Sequence, residues 1–218
     1  MTEVTSPPTG YRLLLPSDWV QIPVRQGRAE ETAHRIAAEA FARVPSDVPR
    51  DKLTPLRLEV ERRLRAAIAD AQRAKALEIY LPMRLSGDIN LGASIVISKA
   101  LLPSRSAPDG SSVATSDPAE VAVQLLARSN GTDWDLRSGE IDGALAVRQE
   151  GVTPADPGRG ADLAGRSVRY TVSVPGNPSQ WFLAVFSTTG AGDPRDDLAD
   201  ALVEWFDALM ATFRWSWA

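Results

Sequence analysis

With 218 residues, 44% of them hydrophobic and 24% charged, the chain can bury a sizeable core and has an ordinary globular composition. The absence of cysteine excludes disulfides, thiol catalysis and thiolate-ligated metals, and a formal net charge of −4 argues against a general nucleic-acid binder. No apolar run reaches membrane-spanning length and the first ten residues hold no signal-peptide core, so a cytoplasmic protein without a membrane span is expected.

Taken in order, residues 1–10 are polar, carry Pro7-Pro8, and are expected to form a flexible tail ahead of a single domain spanning 1–218. Tyr11–Leu15 and Trp19–Val24 read as short strands separated by the turn signal Pro16-Ser17-Asp18. The period then changes. Ala33, Ile36, Ala37, Ala40, Phe41 and Val44 lie on one helical stripe that Pro45 and Pro49 close. A second helix is expected to start with Thr54 as N-cap and Pro55 at its first position, burying Leu56, Val60, Leu64, Ala67, Ile68 and Ala71. Glu59 with Arg63, and Glu61 with Arg65, are i,i+4 pairs in the favourable order. These helices read as an antiparallel hairpin, residues 28–76, inserted into a sheet protein.

Strand periodicity returns at Leu77, Ile79, Leu81 and Met83, where Pro82 confines the strand to an edge or an end. A turn at Gly87-Asp88 and a strand over Leu91–Ser98 follow. Pro103–Ser116 reads as a surface loop. Asp117 caps a helix that has Glu120 three residues on and buries Val121, Ala122, Leu125 and Leu126, then stops at Asn130-Gly131. Ile141–Gln149 is expected as one strand and Gly151–Gly165 as a loop. In the closing stretch Val168, Tyr170, Val172 and Val174 alternate with polar residues, and Pro175-Gly176-Asn177-Pro178 makes a turn. Trp181–Phe186 is apolar on both faces, the pattern of a central strand. Asp193-Pro194 opens a helix with a stripe of Leu198, Ala201, Leu202, Trp205, Phe206, Leu209 and Phe213. Phe213, Trp215 and Trp217 then alternate as a final short strand expected to dock within the chain. The resulting fold class is α+β, a mostly antiparallel sheet of about six strands covered by helices.

No residue pattern carries recognisable chemistry. His34, the single histidine, sits mid-helix with no nucleophile pattern near it, so it reads as structural and metal binding has no ligand spacing to support it. The acidic row Asp193, Asp196, Asp197, Asp200, Glu204 and Asp207 reads as a solvated face favoured by the helix dipole. Gly158, Gly160 and Gly165 lack the strand–loop–helix context of a phosphate loop. No catalytic residue, cofactor or metal is therefore assigned. Surface candidates for interaction are Arg57, Glu61 and Arg65 on the outer face of the second helix, and Trp215 and Trp217 at the end of the chain. The rival reading is a carboxylate-dependent enzyme built on Glu140, Asp142 and Glu150, which a pocket joining two of them with raised pKa values would favour.

The opening Tyr11-Arg12-Leu13-Leu14-Leu15-Pro16-Ser17-Asp18-Trp19 resembles that of PsbP-like domains, a group that includes photosystem PsbP proteins, Ran-binding Mog proteins and actinobacterial lipoproteins. The closing strand, apolar strand, helix and aromatic end resemble theirs too; the helices over 28–76 depart from the pattern, and the lipoproteins' signal and lipid-attachment cysteine have no counterpart here. The resemblance implies an antiparallel sheet sandwiched between helices (an α/β/α sandwich), and a binding or assembly role without catalysis. A protein partner or a second copy of the chain is the expected partner, with no nucleic acid.

Overall fold

The computed structural model describes residues 6–24, 29–42, 50–82, 92–101, 105–106, 112–113, 117–128, 134–159 and 161–218. Eleven strands are described: β1 (Gly10–Arg12), β2 (Trp19–Pro23), β3 (Ala76–Pro82), β4 (Ala93–Leu101), β5 (Arg105–Ser106), β6 (Ser112–Val113), β7 (Asp135–Ile141), β8 (Ala144–Thr153), β9 (Gly165–Val174), β10 (Asn177–Thr188) and β11 (Arg214–Ser216). The helices are α1 (Ala29–Phe41), α2 (Arg50–Arg73), α3 (Pro118–Arg128) and α4 (Asp197–Ala211). Pro45, Pro49, Met83, Gly87-Asp88, Asn130-Gly131 and the side chains of Leu125 and Leu126 fall outside the described residues.

The class is α+β, and the sheet is larger than the sequence pattern suggests. Seven strands lie in the order β2-β3-β4-β10-β9-β8-β7, and every pairing is antiparallel. Two meanders meet at its centre, where Ala93–Leu101 of β4 pairs with Gln180–Thr188 of β10. The apolar run Trp181–Phe186 thus sits mid-sheet, with Trp181, Phe182 and Phe186 all at 0% exposure. The strand expected over Ile141–Gln149 is instead a hairpin. Asp142 and Gly143 take φ values of 47° and 73° and join β7 to β8. An Asp-Gly pair suits a two-residue turn with both residues left-handed, whose twist matches that of the flanking strands.

One sheet face carries Ile95, Ile97, Ala146, Val168, Val172, Phe182 and Phe186, which pack beneath Leu202, Val203, Phe206, Leu209 and Met210 of α4. The other carries Ile22, Val24 and Ile79, which pack on Ala33, Ile36, Ile68 and Ala71 of the α1–α2 hairpin. Alternation within β3 shows the two sides directly: Ile79 joins the second cluster and Tyr80 the first. Helix α3 lies against β8 with Val121 and Ala122 buried.

Helix boundaries differ from the sequence expectation for local reasons. Helix α2 starts at Arg50, so Thr54 is no N-cap and Pro55 sits inside the helix, where its missing N–H removes a bond from the first turns. Helix α4 starts at Asp197, not at Asp193. Its N-cap is Asp196, whose carboxylate accepts from the Ala199 N–H at 2.7 Å. Ala201, expected in the stripe of α4, is exposed, while Trp205 is half-buried and stacks on Trp19 at 4.8 Å.

The terminal aromatics dock within the chain. Strand β11 pairs with β1, Tyr11 lying opposite Trp215. Trp215 is 7% exposed and meets Phe213 edge-on at 4.9 Å, and Phe213 and Tyr11 both contact Phe182 of the central strand. Thr9 donates its backbone N–H to the Ser216 carbonyl at 2.8 Å and Gly10 pairs with Ser216, so these two residues of the expected tail are held by β11. Removing Arg214–Ala218 strips this cover from Phe182, and a melting temperature lower by several degrees is expected in calorimetry. Phe206 is fully buried on the sheet-facing side of α4, and Phe206→Ala is expected to cost about 3–5 kcal/mol in denaturant titration.

Candidate functional site

Charged side chains that the chain spreads over sixty residues converge where α4 crosses β8 and β9. Arg148 and Glu150 point to the α4 face of β8 together with Ala146, because residues two apart on a strand share a side. Tyr170 occupies the same face of β9, paired across from Arg148. Helix α4 supplies Asp207 and Asp200 from above. Arg148 donates through Nε and Nη2 to both oxygens of Asp207, at 2.9 and 2.8 Å, a bidentate pair. Its Nη2 also lies 2.6 Å from Glu150. Arg166 donates to Glu150 through Nε at 2.7 Å and also faces Asp200 at 3.2 Å. The Tyr170 hydroxyl donates to Asp207 at 2.8 Å.

The arrangement fixes protonation states. Burial raises the Glu150 pKa, but hydrogen bonds from Arg166 and Arg148 outweigh it and hold the carboxyl below its ordinary range. Burial likewise works against the charge on Arg148, and the two carboxylates more than restore it. Burial and the bond to Asp207 push the Tyr170 hydroxyl up, so it stays a neutral donor. Within this seam of ion pairs, Glu150 is thus held ionised between two guanidinium groups and the Tyr170 hydroxyl stays protonated, so neither is poised to exchange a proton near neutral pH.

Among the clefts that seam residues line, two lie beside Glu150 and Asp207. One, of 570 Å³, is lined by Trp134, Asp135, Glu150, Arg166 and Arg195. Its Trp134 ring lies against Gly151 so closely that a Cβ there would come within 2.9 Å of three ring atoms. The other, of 280 Å³, lies between β7 and the end of α4. Gly139, Ala146 and Ala211 leave it hollow, Ile141, Tyr170 and Met210 wall it, and Arg137, Arg148 and Asp207 line its polar side.

The sequence candidates do not assemble as expected. Glu150 joins the seam, Glu140 lies on the rim of the smaller cleft, and Asp142 accepts from the Trp215 N–H at 2.8 Å. Glu150 and Glu140 line different clefts, and the Glu150 carboxyl is shifted down, not up. On α2 the expected outer face is rotated. Glu61, at 4% exposure, belongs to the inward stripe with Leu64, Ile68 and Ala71, where it meets His34 of α1 at 3.3 Å and bonds Arg65. Arg57 is half-buried, with a buried Nε that has no partner, whereas Leu56 and Leu58 are exposed. Of the surface candidates, Arg65 and Trp217 are exposed and Trp215 is core. Sequence reasoning missed Arg148, Arg166 and Tyr170. Tyr170 counted only as one of the alternating apolar positions of its strand, and only the partner helix turns these residues into a site.

No protein-family model matches the sequence, and no curated protein matches it. Among solved structures the chain is similar to the crystal structure of LpqN, involved in cell envelope biogenesis of Mycobacterium tuberculosis. The identity is 13% and the TM-score 0.44, with 97% of this chain and 90% of that chain covered. A likeness that distant assigns no function. Among the described residues, no helix is long and apolar enough to cross a membrane.

Glu150→Gln leaves two guanidinium groups short of one negative charge and is expected to cost roughly 2–3 kcal/mol at pH 7. Because the folded pKa is lowered, this contribution is present above the ordinary value of 4.5 and is lost as pH falls through the folded pKa. The stability gap between the two proteins should therefore be full at neutral pH and shrink below 4.5 when unfolding is followed by circular dichroism.

Proposed function

We propose that this protein is a non-enzymatic binding or assembly factor of the PsbP/Mog-like kind that holds a protein partner. The observation that carries this reading is the charge seam beside an open strand edge. Glu150, the carboxylate a catalytic reading needs as a proton donor, is neutralised by two guanidinium groups and held ionised. Asp142 is engaged by the backbone of β11 and Glu140 faces solvent. Rigid, paired charges favour a recognition surface, since they resist reorganisation and fix which charges a partner meets. A seven-stranded antiparallel sheet with helices on both faces is in keeping with the PsbP-like opening of the chain. The side formed by β7 and α4 is the favoured contact surface, with Arg65 and Trp217 as further exposed points.

Cross-linking of the native protein in its own cells, read by mass spectrometry, tests this. A reproducible partner whose cross-links cluster on the β7–α4 side is the expected outcome. Turnover of a substrate that Glu150→Gln abolishes while the fold persists would replace the binding reading with the enzymatic one.

A further inference from the structure

Strand β7 is an edge guarded by charge alone. Natural edges are blunted by proline, bulges, brevity, a covering element or charged side chains, and β7 has only the last, in Asp135, Arg137 and Glu140, which admit a partner of matching charge pattern. At the opposite end of the sheet β2 has five residues and ends at Pro23. In contrast, β7 runs for seven residues without proline and pairs with β8 in unbroken register from Asp135–Glu150 to Ile141–Ala144. Among the described residues its other side pairs with nothing. Gly139 and Ala146 are cross-strand partners on the α4 side, and Ala211 of α4 stands above them. Nothing lies within 4 Å of the place a Gly139 Cβ would take. Three small residues thus leave a 280 Å³ hollow under the helix, open at the strand edge. An engineered apolar cavity of about 150 Å³ already accepts benzene, so the hollow has room for a leucine or phenylalanine side chain.

Resting on the binding-factor reading, we infer that β7 and α4 form a strand-addition groove for an extended segment of a partner protein. The segment pairs antiparallel with β7, as every strand in this sheet does. Its residue opposite Gly139 points to the α4 side and fills the hollow. The charges of β7 then set the rest of the segment. Glu140 is exposed and has no ion-pair partner among the described residues, so a cation belongs at the position just before the large apolar residue. Arg137 and Asp135 pair with each other along β7 at 2.7 Å and both stay exposed, so an acid two positions after the apolar residue and a base four positions after it extend that pair into a four-charge cluster, since directly opposed unlike charges stabilise a strand pair. The recognised pattern is basic, large apolar, any residue, acidic, any residue, basic. A second copy of this chain fits less well: two-fold pairing of β7 centred on Arg137 opposes like charges, centring on Ser138 or Gly139 pairs no opposite charges, and centring on Leu136 pairs Asp135 with Arg137 but places no residue of β7 opposite Gly139, so the hollow stays unfilled.

The test uses a labelled synthetic peptide containing Lys-Leu-Thr-Glu-Val-Lys, its charge-inverted form Glu-Leu-Thr-Lys-Val-Glu, and the full-length protein, read by fluorescence anisotropy. The first peptide should bind at least several-fold more tightly than the second. Gly139→Val adds a good strand former in open space, so the melting temperature should hold while peptide affinity drops tenfold or more. Glu140→Lys should narrow or reverse the preference between the two peptides. Equal binding of both peptides, no binding, or affinity unmoved by Gly139→Val would overturn the groove, and a dimer that Gly139→Val dissociates would give it to a second copy instead. Any of those results with a cross-linked partner still found elsewhere on the surface defeats the groove but leaves the binding-factor reading standing.

Discussion

The pairing of β4 with β10 is the constraint on which the rest of the molecule depends. Each meander alone is a small sheet with one face it cannot cover; nine registered residue pairs join them into one layer. The partners lie 79 to 95 residues apart, so closing this pair carries a large loop-closure cost that only extensive burial offsets. Phe182 and Phe186 supply part of that burial under α4, and Trp181 lies on the opposite face at 0% exposure. The Trp181 and Trp215 ring N–H groups are both buried without a partner, a penalty the aromatic packing around them has to exceed.

Once the two meanders join at their inner strands, their outer strands become the edges of the sheet, and the edges differ. The β2 end is covered on one face by α1 and α2 and is shortened by Pro23. The β7 end is held by polar contacts: Arg148, Glu150, Asp207 and Arg166 tie α4 to β8 and β9 where small side chains leave little apolar contact. Buried ion pairs contribute little net stability, but removing one member leaves a charge unpaired, so they fix geometry strongly. A helix anchored this way stands over the edge strand at a set distance, and the hollow between them persists for the same reason the seam does.

Elements that bury an alternating or continuous apolar pattern were legible in the sequence. Val168–Val174, Trp181–Phe186 and the stripe of α4 fall in this group, as does the aromatic end of the chain. Strand β7 was not, because Asp-Leu-Arg-Ser-Gly-Glu-Ile has no face to bury and so shows no period. The Asp142-Gly143 pair was the available signal for the hairpin. The rotation of α2 was misread because Leu56 and Val60 look like the start of the inner stripe, whereas the helix turns Glu61 inward to meet His34. Only the partner helix can reveal a carboxylate in a core stripe. Of the site itself, Glu150 could be singled out in sequence, but its bonds to Arg148, Arg166 and, through Arg148, to Asp207 join elements that only the fold brings together.

If recognition belongs to the β7–α4 side, the outward amides of β7 must leave water when a partner binds. Amide hydrogen exchange of the protein alone and with its cross-linked partner measures this directly. Slowed exchange along Asp135–Ile141 on complex formation is the expected result. Unchanged exchange there, with new protection confined to α1 and α2, would contradict the account and return the recognition role to the helical hairpin.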